Sequence, residues 1–137
     1  MTTKAMRSSE RGQSMVELAL LLPFLLVLVL GVVDLGMGFR TYVGLTNAAR
    51  EGVRWASIHP AGGSAEAVAR ATVEAGRIGL SGGDIQISVT PDSSAYSAGE
   101  HVTVTIRHDY PLMFGFFTAL PDVPFRAQAT MVVLYDS

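Results

Sequence analysis

Hydrophobic and polar positions change rhythm three times along the chain. From Leu18 to Val33 sixteen residues pass without a charge. At ~1.5 Å per residue that run covers about 24 Å, short of a ~30 Å hydrocarbon core. Counted from Gln13 to Val33 it reaches about 31 Å, a better match. The predicted span therefore carries Glu17 near one membrane face and leaves Asp34 near the other. Pro23 interrupts it; a proline removes one backbone donor, which membrane helices tolerate better than soluble ones. Past the apolar run, Arg40 to Ile58 keeps helical spacing until Pro60, which also restricts His59. A continuous helix over 13–58 is about 68 Å long and has to project from any small domain.

The remainder reads as a compact unit. Gly62-Gly63-Ser64 breaks the chain, and Ser64 is suited to cap a helix from Ala65 to about Gly76. Its apolar face is expected at Val68, Ala69, Thr72, Val73 and Ala75 or Gly76. Ser81-Gly82-Gly83-Asp84 then turns the chain. Three period-two stretches follow. They place Ile85, Ile87 and Val89, then Val102, Val104 and Ile106, then Phe125, Ala127, Ala129, Met131 and Val133 on one face. Pro91 to Gly99 reads as a polar, exposed loop. The fold class is α+β: a long N-terminal transmembrane helix, a second helix and a three-stranded antiparallel sheet with helices on one face. Pro111 to Pro121 is apolar and aromatic although it lies between strands. Two readings stand for it, a segment closing the core and an exposed patch touching the bilayer or another subunit.

Composition agrees with a membrane segment joined to one small domain. Hydrophobic residues make up 49% of 137 and charged residues 16%, with a net charge of −2. Without basic blocks or aromatic RNA-binding motifs, nucleic acid is not an expected partner. The absence of cysteine excludes disulfides, thiolate metal sites and cysteine nucleophiles. Lys4, Arg7 and Arg11 precede the apolar run against Glu10, so the positive-inside rule puts the N-terminus in the cytoplasm and the C-terminal domain outside. Three readings of the segment follow: a cleaved secretory signal ending near Gly36-Met37-Gly38, a plain anchor whose Glu17 snorkels, and a type IV prepilin leader cut between Gly12 and Gln13. The last gives Glu17 a task. A carboxylate in a bilayer costs roughly 2.5–3.5 kcal/mol at mid-helix and less near an end, and it is usually paired or functional. A new amine at Gln13 would lie about 6 Å along the axis from Glu17. A carboxylate that reaches the amine of an adjacent subunit sets axial register.

Arg11-Gly12-Gln13-Ser14-Met15-Val16-Glu17-Leu18-Ala19-Leu20, with Pro23 soon after, resembles the start of TadE-like proteins. Asn47-Ala48-Ala49-Arg50-Glu51-Gly52-Val53-Arg54-Trp55-Ala56 is similar to that family's second signature, in which Asn47, Arg50, Glu51 and Arg54 are the polar members. The resemblance implies a pilin-like minor pseudopilin of the tight-adherence (Flp) pilus system, structural and not an enzyme. It implies a basic cytoplasmic leader over 1–12, a transmembrane helix over 13–39, its extension over 40–59 and an exported α+β domain over 60–137. It further implies an aspartic prepilin peptidase acting at Gly12 and Gln13, and an assembly role for Glu17. The partners it implies are the membrane, other pilins and inner-membrane pilus assembly proteins. The chain would sit single-pass in a bacterial or archaeal membrane. An uncleaved bitopic envelope scaffold and a membrane-anchored enzyme are the alternatives.

Gly44, Ala48, Gly52 and Ala56 recur every four residues and form a shallow groove for helix packing. Its occupant is either another subunit or this protein's own sheet. Glu51 and Arg54 admit an i,i+3 ion pair, which is a docking surface or simply a solvated face. Trp55 is either core or a binding anchor. For catalysis the residues are unpromising. His59, His101 and His108 lack HExxH or HxH spacing, and no GxSxG, Walker loop or GxGxxG occurs. Asp84, Asp92 and Glu100 at loop ends suit turns better than calcium, which needs 6–8 oxygens. No cofactor, metal or catalytic residue is expected.

Overall fold

A computed structural model describes residues 6–113, 115 and 121–135, with side chains from residue 12 onward within the first helix. Helix α1 runs unbroken from Met6 to Ile58 and contains Pro23. Its 53 residues make a rod of about 80 Å. A single 3-10 turn over Pro60–Gly62 follows, then helix α2 over Gly63–Gly76. Strands β1 (Gln86–Thr90), β2 (His101–Tyr110) and β3 (Val123–Val132) form one antiparallel sheet in the order β1-β2-β3. The α+β architecture is the one that the sequence pattern predicts.

Burial along α1 begins abruptly. Residues 12 to 29 are exposed throughout, whereas Asp34, Gly38, Gly44, Leu45, Ala48, Ala49, Gly52, Val53 and Ala56 are buried. The first half of the rod therefore leaves the domain and the second half is its spine. Helix α1 packs on α2 and across β2 and β3, while α2 covers β1. The core joins Leu45, Ala49 and Val53 of α1 with Val102, Val104 and Ile106 of β2 and Ala127 of β3. The register sets Ile87 opposite Ile106 and Ile106 opposite Ala127, so all three strands turn apolar side chains toward the helices. The outer face is polar; Thr103 and Thr130, paired across β2 and β3, hydrogen-bond at 2.8 Å.

Three local expectations are corrected. Ser64 does not cap α2: Gly62 is the N-cap, without a side-chain cap bond. Instead the Ser64 hydroxyl donates to the Asp92 carboxylate and its N–H to the Ser93 carbonyl. Both bonds tie the start of α2 to the loop after β1. The buried face of α2 is Ala67, Ala71 and Ala75, while Val73 points out. Size misled the pattern here. Where two helices approach closely, alanine fits and valine does not. Finally, the loop over 91–99 is not wholly exposed, because Tyr96 is buried, its N–H donating to the Pro60 carbonyl and its hydroxyl to the Pro91 carbonyl at 3.2 Å. Most of the aromatic segment, Phe114 and residues 116–120, lies outside the described residues.

The small-residue stripe of α1 meets α2. A methyl group added at Gly52 would stand 2.9 Å from the Ala67 carbonyl oxygen and 3.0 Å from the Ala71 Cβ. One added at Gly44 would run into the Ile78 side chain just beyond α2. The groove, left open by the sequence to another subunit or the chain's own sheet, is thus filled chiefly by the second helix, whose backbone reaches Gly52. Gly63 is constrained differently: its φ of +55° and the adjacent Ser93 and Ser94 backbone leave no room for a side chain.

Gly52→Val should lower stability by about 1–3 kcal/mol, the usual cost of overpacking, despite valine's better helix propensity. Urea unfolding of the full chain in detergent, followed by circular dichroism, measures it. Unchanged stability would mean that the two helices are not in this close contact.

Candidate functional site

The predicted processing and register residues lie together on one exposed stretch of α1. Gly12, Gln13 and Glu17 fall within continuous helix, and the Gln13 side-chain amide donates to the Glu17 carboxylate at 3.3 Å. This is an i,i+4 pair on one helix face, with both partners exposed. Glu17 lies on the bare half of the rod, far in sequence from the first buried position. Gly12 to Ile58 includes the apolar stretch long enough to cross a bilayer, which fits a single-pass membrane anchor.

The other end of the span is built quite differently. Asp34 is only 4% exposed and accepts the Met113 backbone N–H at 3.0 Å. That contact joins the outer end of the span to the segment after β2. Beside it, Tyr110 and Phe125 stack with ring centroids 5.4 Å apart, and Tyr42 meets Phe125 edge-on at 6.1 Å. Burial, with the neighbouring Asp34 charge as a smaller cause, pushes the Tyr110 phenol above its ordinary value. Between α1 and the ends of β2 and β3 runs an apolar groove of about 710 Å³. Gly31, Asp34, Leu35, Phe39 and Tyr42 of α1 form one wall, and Tyr110, Leu112, Val123 and Phe125 the other.

The polar signature residues occupy a separate surface. Asn47, Arg50, Glu51 and Arg54 line an open depression with Glu74 and Arg77 of the α2 end. Glu51 and Arg54 pair at 3.6 Å, and Glu74 and Arg77 at 3.1 Å. Exposed pairs of this kind contribute only a few tenths of a kcal/mol. Trp55 is half-buried: the Arg70 guanidinium lies 3.7 Å from its ring centroid, and the His59 ring stacks on it at 3.9 Å. It is therefore a bracket between α1 and α2, and its indole Nε1 is buried without a hydrogen-bond partner among the described residues.

The residues weighed for catalysis are engaged in local structure. Asp84 accepts from the Ser81 hydroxyl at 2.6 Å and the Ser81 N–H at 2.9 Å, and those bonds hold its carboxyl below the ordinary range. Glu100 accepts from the Ser97 N–H, and Asp92 from Ser64. His108 is buried, with Nδ1 2.7 Å from the Asp84 carbonyl oxygen. Among the described residues no three His, Asp or Glu side chains converge as metal ligands.

Comparison with known families bears on the membrane half. Residues 12–54 match the family described as TadE-like protein. The matched TadE-like region covers a little under a third of the chain and begins at Gly12. It contains the span, Glu17, Asp34 and most of the second polar signature, and it ends before α2 and the sheet. No curated protein and no solved structure matches the chain. The sequence reading placed Asp34 near a membrane face without assigning it a partner, and Tyr96, which organises the loop, escaped it. For Asp34 the signal was present: a lone acid directly after an apolar run.

Alkaline pH should weaken the fold through Tyr96. Burial raises its phenol above the ordinary 10.0, with Asp92 and then Glu100 adding to the effect. A raised value means that the neutral phenol's contribution is complete below pH 10 and lost as pH rises through the folded-state value. Tyr96→Phe should cost about 1 kcal/mol at neutral pH, from the lost hydrogen bond, and flatten the decline above pH 10. Unfolding midpoints at pH 8 and pH 11 for both proteins test this; an unaltered alkaline slope would refute the assignment to Tyr96.

Proposed function

We propose that the protein is a TadE-like minor pseudopilin that helps assemble a tight-adherence (Flp) pilus by packing and register, without catalysis. The observation that carries this reading is the family match over residues 12–54, which starts at the residue expected to precede the cut. In this reading residues 1–12 are a cytoplasmic leader and residues 60–137 an exported domain. A prepilin peptidase hydrolyses the Gly12–Gln13 amide, leaving a carboxylate on Gly12 and an ammonium on Gln13. The ammonium then begins the membrane helix four residues before Glu17. The present Gln13–Glu17 contact is compatible with that role, because the carboxylate already faces outward and toward the N-terminal end.

Charge supplies the mechanism. Within low-dielectric surroundings an unpaired carboxylate is costly, and a neighbouring subunit's N-terminal ammonium offsets that cost at one axial position only. The span holds the subunit in the membrane of the bacterial or archaeal cell, the N-terminus inside. Other pilins and inner-membrane assembly proteins meet the exposed half of α1 and the signature surface at Asn47, Arg50, Glu51 and Arg54.

A second reading, the uncleaved bitopic scaffold, is favoured by Leu18. Processed members of this pilus system commonly carry an aromatic directly after the glutamate, and this chain has leucine. The two readings differ at the N-terminus of the mature protein. Mass mapping in cells with active peptidase should find a chain beginning at Gln13; a retained leader would overturn the processing claim. Glu17→Ala should leave membrane insertion unchanged. A register contact of ~1.4 kcal/mol corresponds to about a tenfold loss of pilus assembly, read by sheared-pilus yield. Normal yield would remove Glu17 from the mechanism.

A further inference from the structure

We propose that the apolar groove at the junction holds an acyl chain of a bilayer phospholipid. The inference rests on the reading of α1 as a membrane span. The groove's wall begins at Gly31, inside the span, so its lower end opens directly into hydrocarbon. Among the described residues nothing lies within 4 Å of the space where a Gly31 side chain would stand, and that space is the entrance. Higher up, Tyr42 and Phe125 close the opposite end with their edge-on contact.

Length decides between simple immersion and a held chain. Tyr42 is nine residues past Val33, about 13 Å further along the helix axis. The polar layer of a bilayer is only about 5–8 Å thick on each side. The upper groove thus stands above the hydrocarbon when the span is seated over 13–33, the stretch whose length matches the core. Yet its walls are aromatic and aliphatic, and its volume of about 710 Å³ falls in the ~300–1,000 Å³ range of clefts that enclose small apolar ligands. An acyl chain entering at Gly31 extends the hydrocarbon up this cleft without leaving the lipid phase. The continuity with the bilayer-facing surface of α1 selects lipid over a soluble ligand. Asp34 also lines the groove; its carboxylate accepts the Met113 N–H, and the rest of the lining is apolar or aromatic.

The test uses the full chain in nanodiscs of phosphatidylcholine with brominated acyl chains, which quench nearby tryptophan. Trp55→Phe removes the native fluorophore. Phe24→Trp then reports the mid-span and Phe125→Trp the upper groove, with Tyr110→Trp as a second groove probe should Phe125→Trp fail to fold. Both positions should be quenched to a comparable extent. Adding Gly31→Leu should restore groove emission and leave the Phe24 probe quenched. An unquenched Phe24 probe would defeat the membrane reading itself. A quenched Phe24 probe with an unquenched groove probe overturns the lipid proposal alone, as a second copy in the groove would produce. Groove quenching that survives Gly31→Leu also overturns it, because the domain then merely dips into the leaflet.

Discussion

Close contact between the small-residue stripe of α1 and the alanines of α2 is the constraint on which the C-terminal half depends. Gly52 stands against the Ala67 carbonyl and Ala71, and Ala48 and Ala56 are fully covered. Such contact leaves no room for a methyl group on Gly52, and it brings the two helix backbones together. Everything else follows from that spacing. Helix α2 lies beside α1, so the pair presents a flat layer broad enough for three strands. Leu45, Ala49 and Val53 on the neighbouring face of α1 remain available to join the core with β2 and β3. Gly63, held at positive φ against Ser93 and Ser94, fixes where α2 starts relative to the loop after β1. The Arg70–Trp55–His59 stack braces the same helix pair farther along. Dispersion between closely fitting backbones contributes in many small increments, so widening the gap weakens all of them together.

The same geometry separates what the amino-acid pattern conveyed from what it hid. Period-two alternation located all three strands, because each has one face on the helices and one in water. Pro60 marked the end of α1 by the steric rule for the residue before proline. The four-residue recurrence of Gly44, Ala48, Gly52 and Ala56 announced a close approach but not its occupant, since small residues accommodate a helix, a sheet or another subunit equally. The α2 face was misassigned because hydrophobicity ranks valine above alanine, whereas the interface selects for volume. Tyr96 was hidden in a polar stretch; a long-range hydrogen bond to Pro60 places it in the core. Ser64 looked like a cap by type and position, but the loop carrying Asp92 captured its hydroxyl. Gly12, Gln13 and Glu17 were proposed as candidate sites from their spacing around an apolar run and from the family resemblance. The Asp34 junction was not, because its partner is a backbone N–H seventy-nine positions away.

Glu17 and Asp34 illustrate how one helix treats two acids in opposite ways. Asp34 is buried, takes the Met113 N–H and anchors the segment after β2. A charge-assisted bond of that type is stronger than a neutral one and contributes to a fixed angle between domain and rod. Glu17 sits on the bare half, where its partner is the amide of Gln13 on the same exposed face. A neutral amide stabilises a carboxylate less than a cation does, and in hydrocarbon the shortfall is larger. The domain thus satisfies the acid near its own edge and leaves the distant one for a charge that the described residues do not supply. Within the proposed assembly, that difference orders the events: the sheet domain is locked to its rod before any partner arrives, and the remaining electrostatic cost at Glu17 is relieved only by a correctly spaced neighbour.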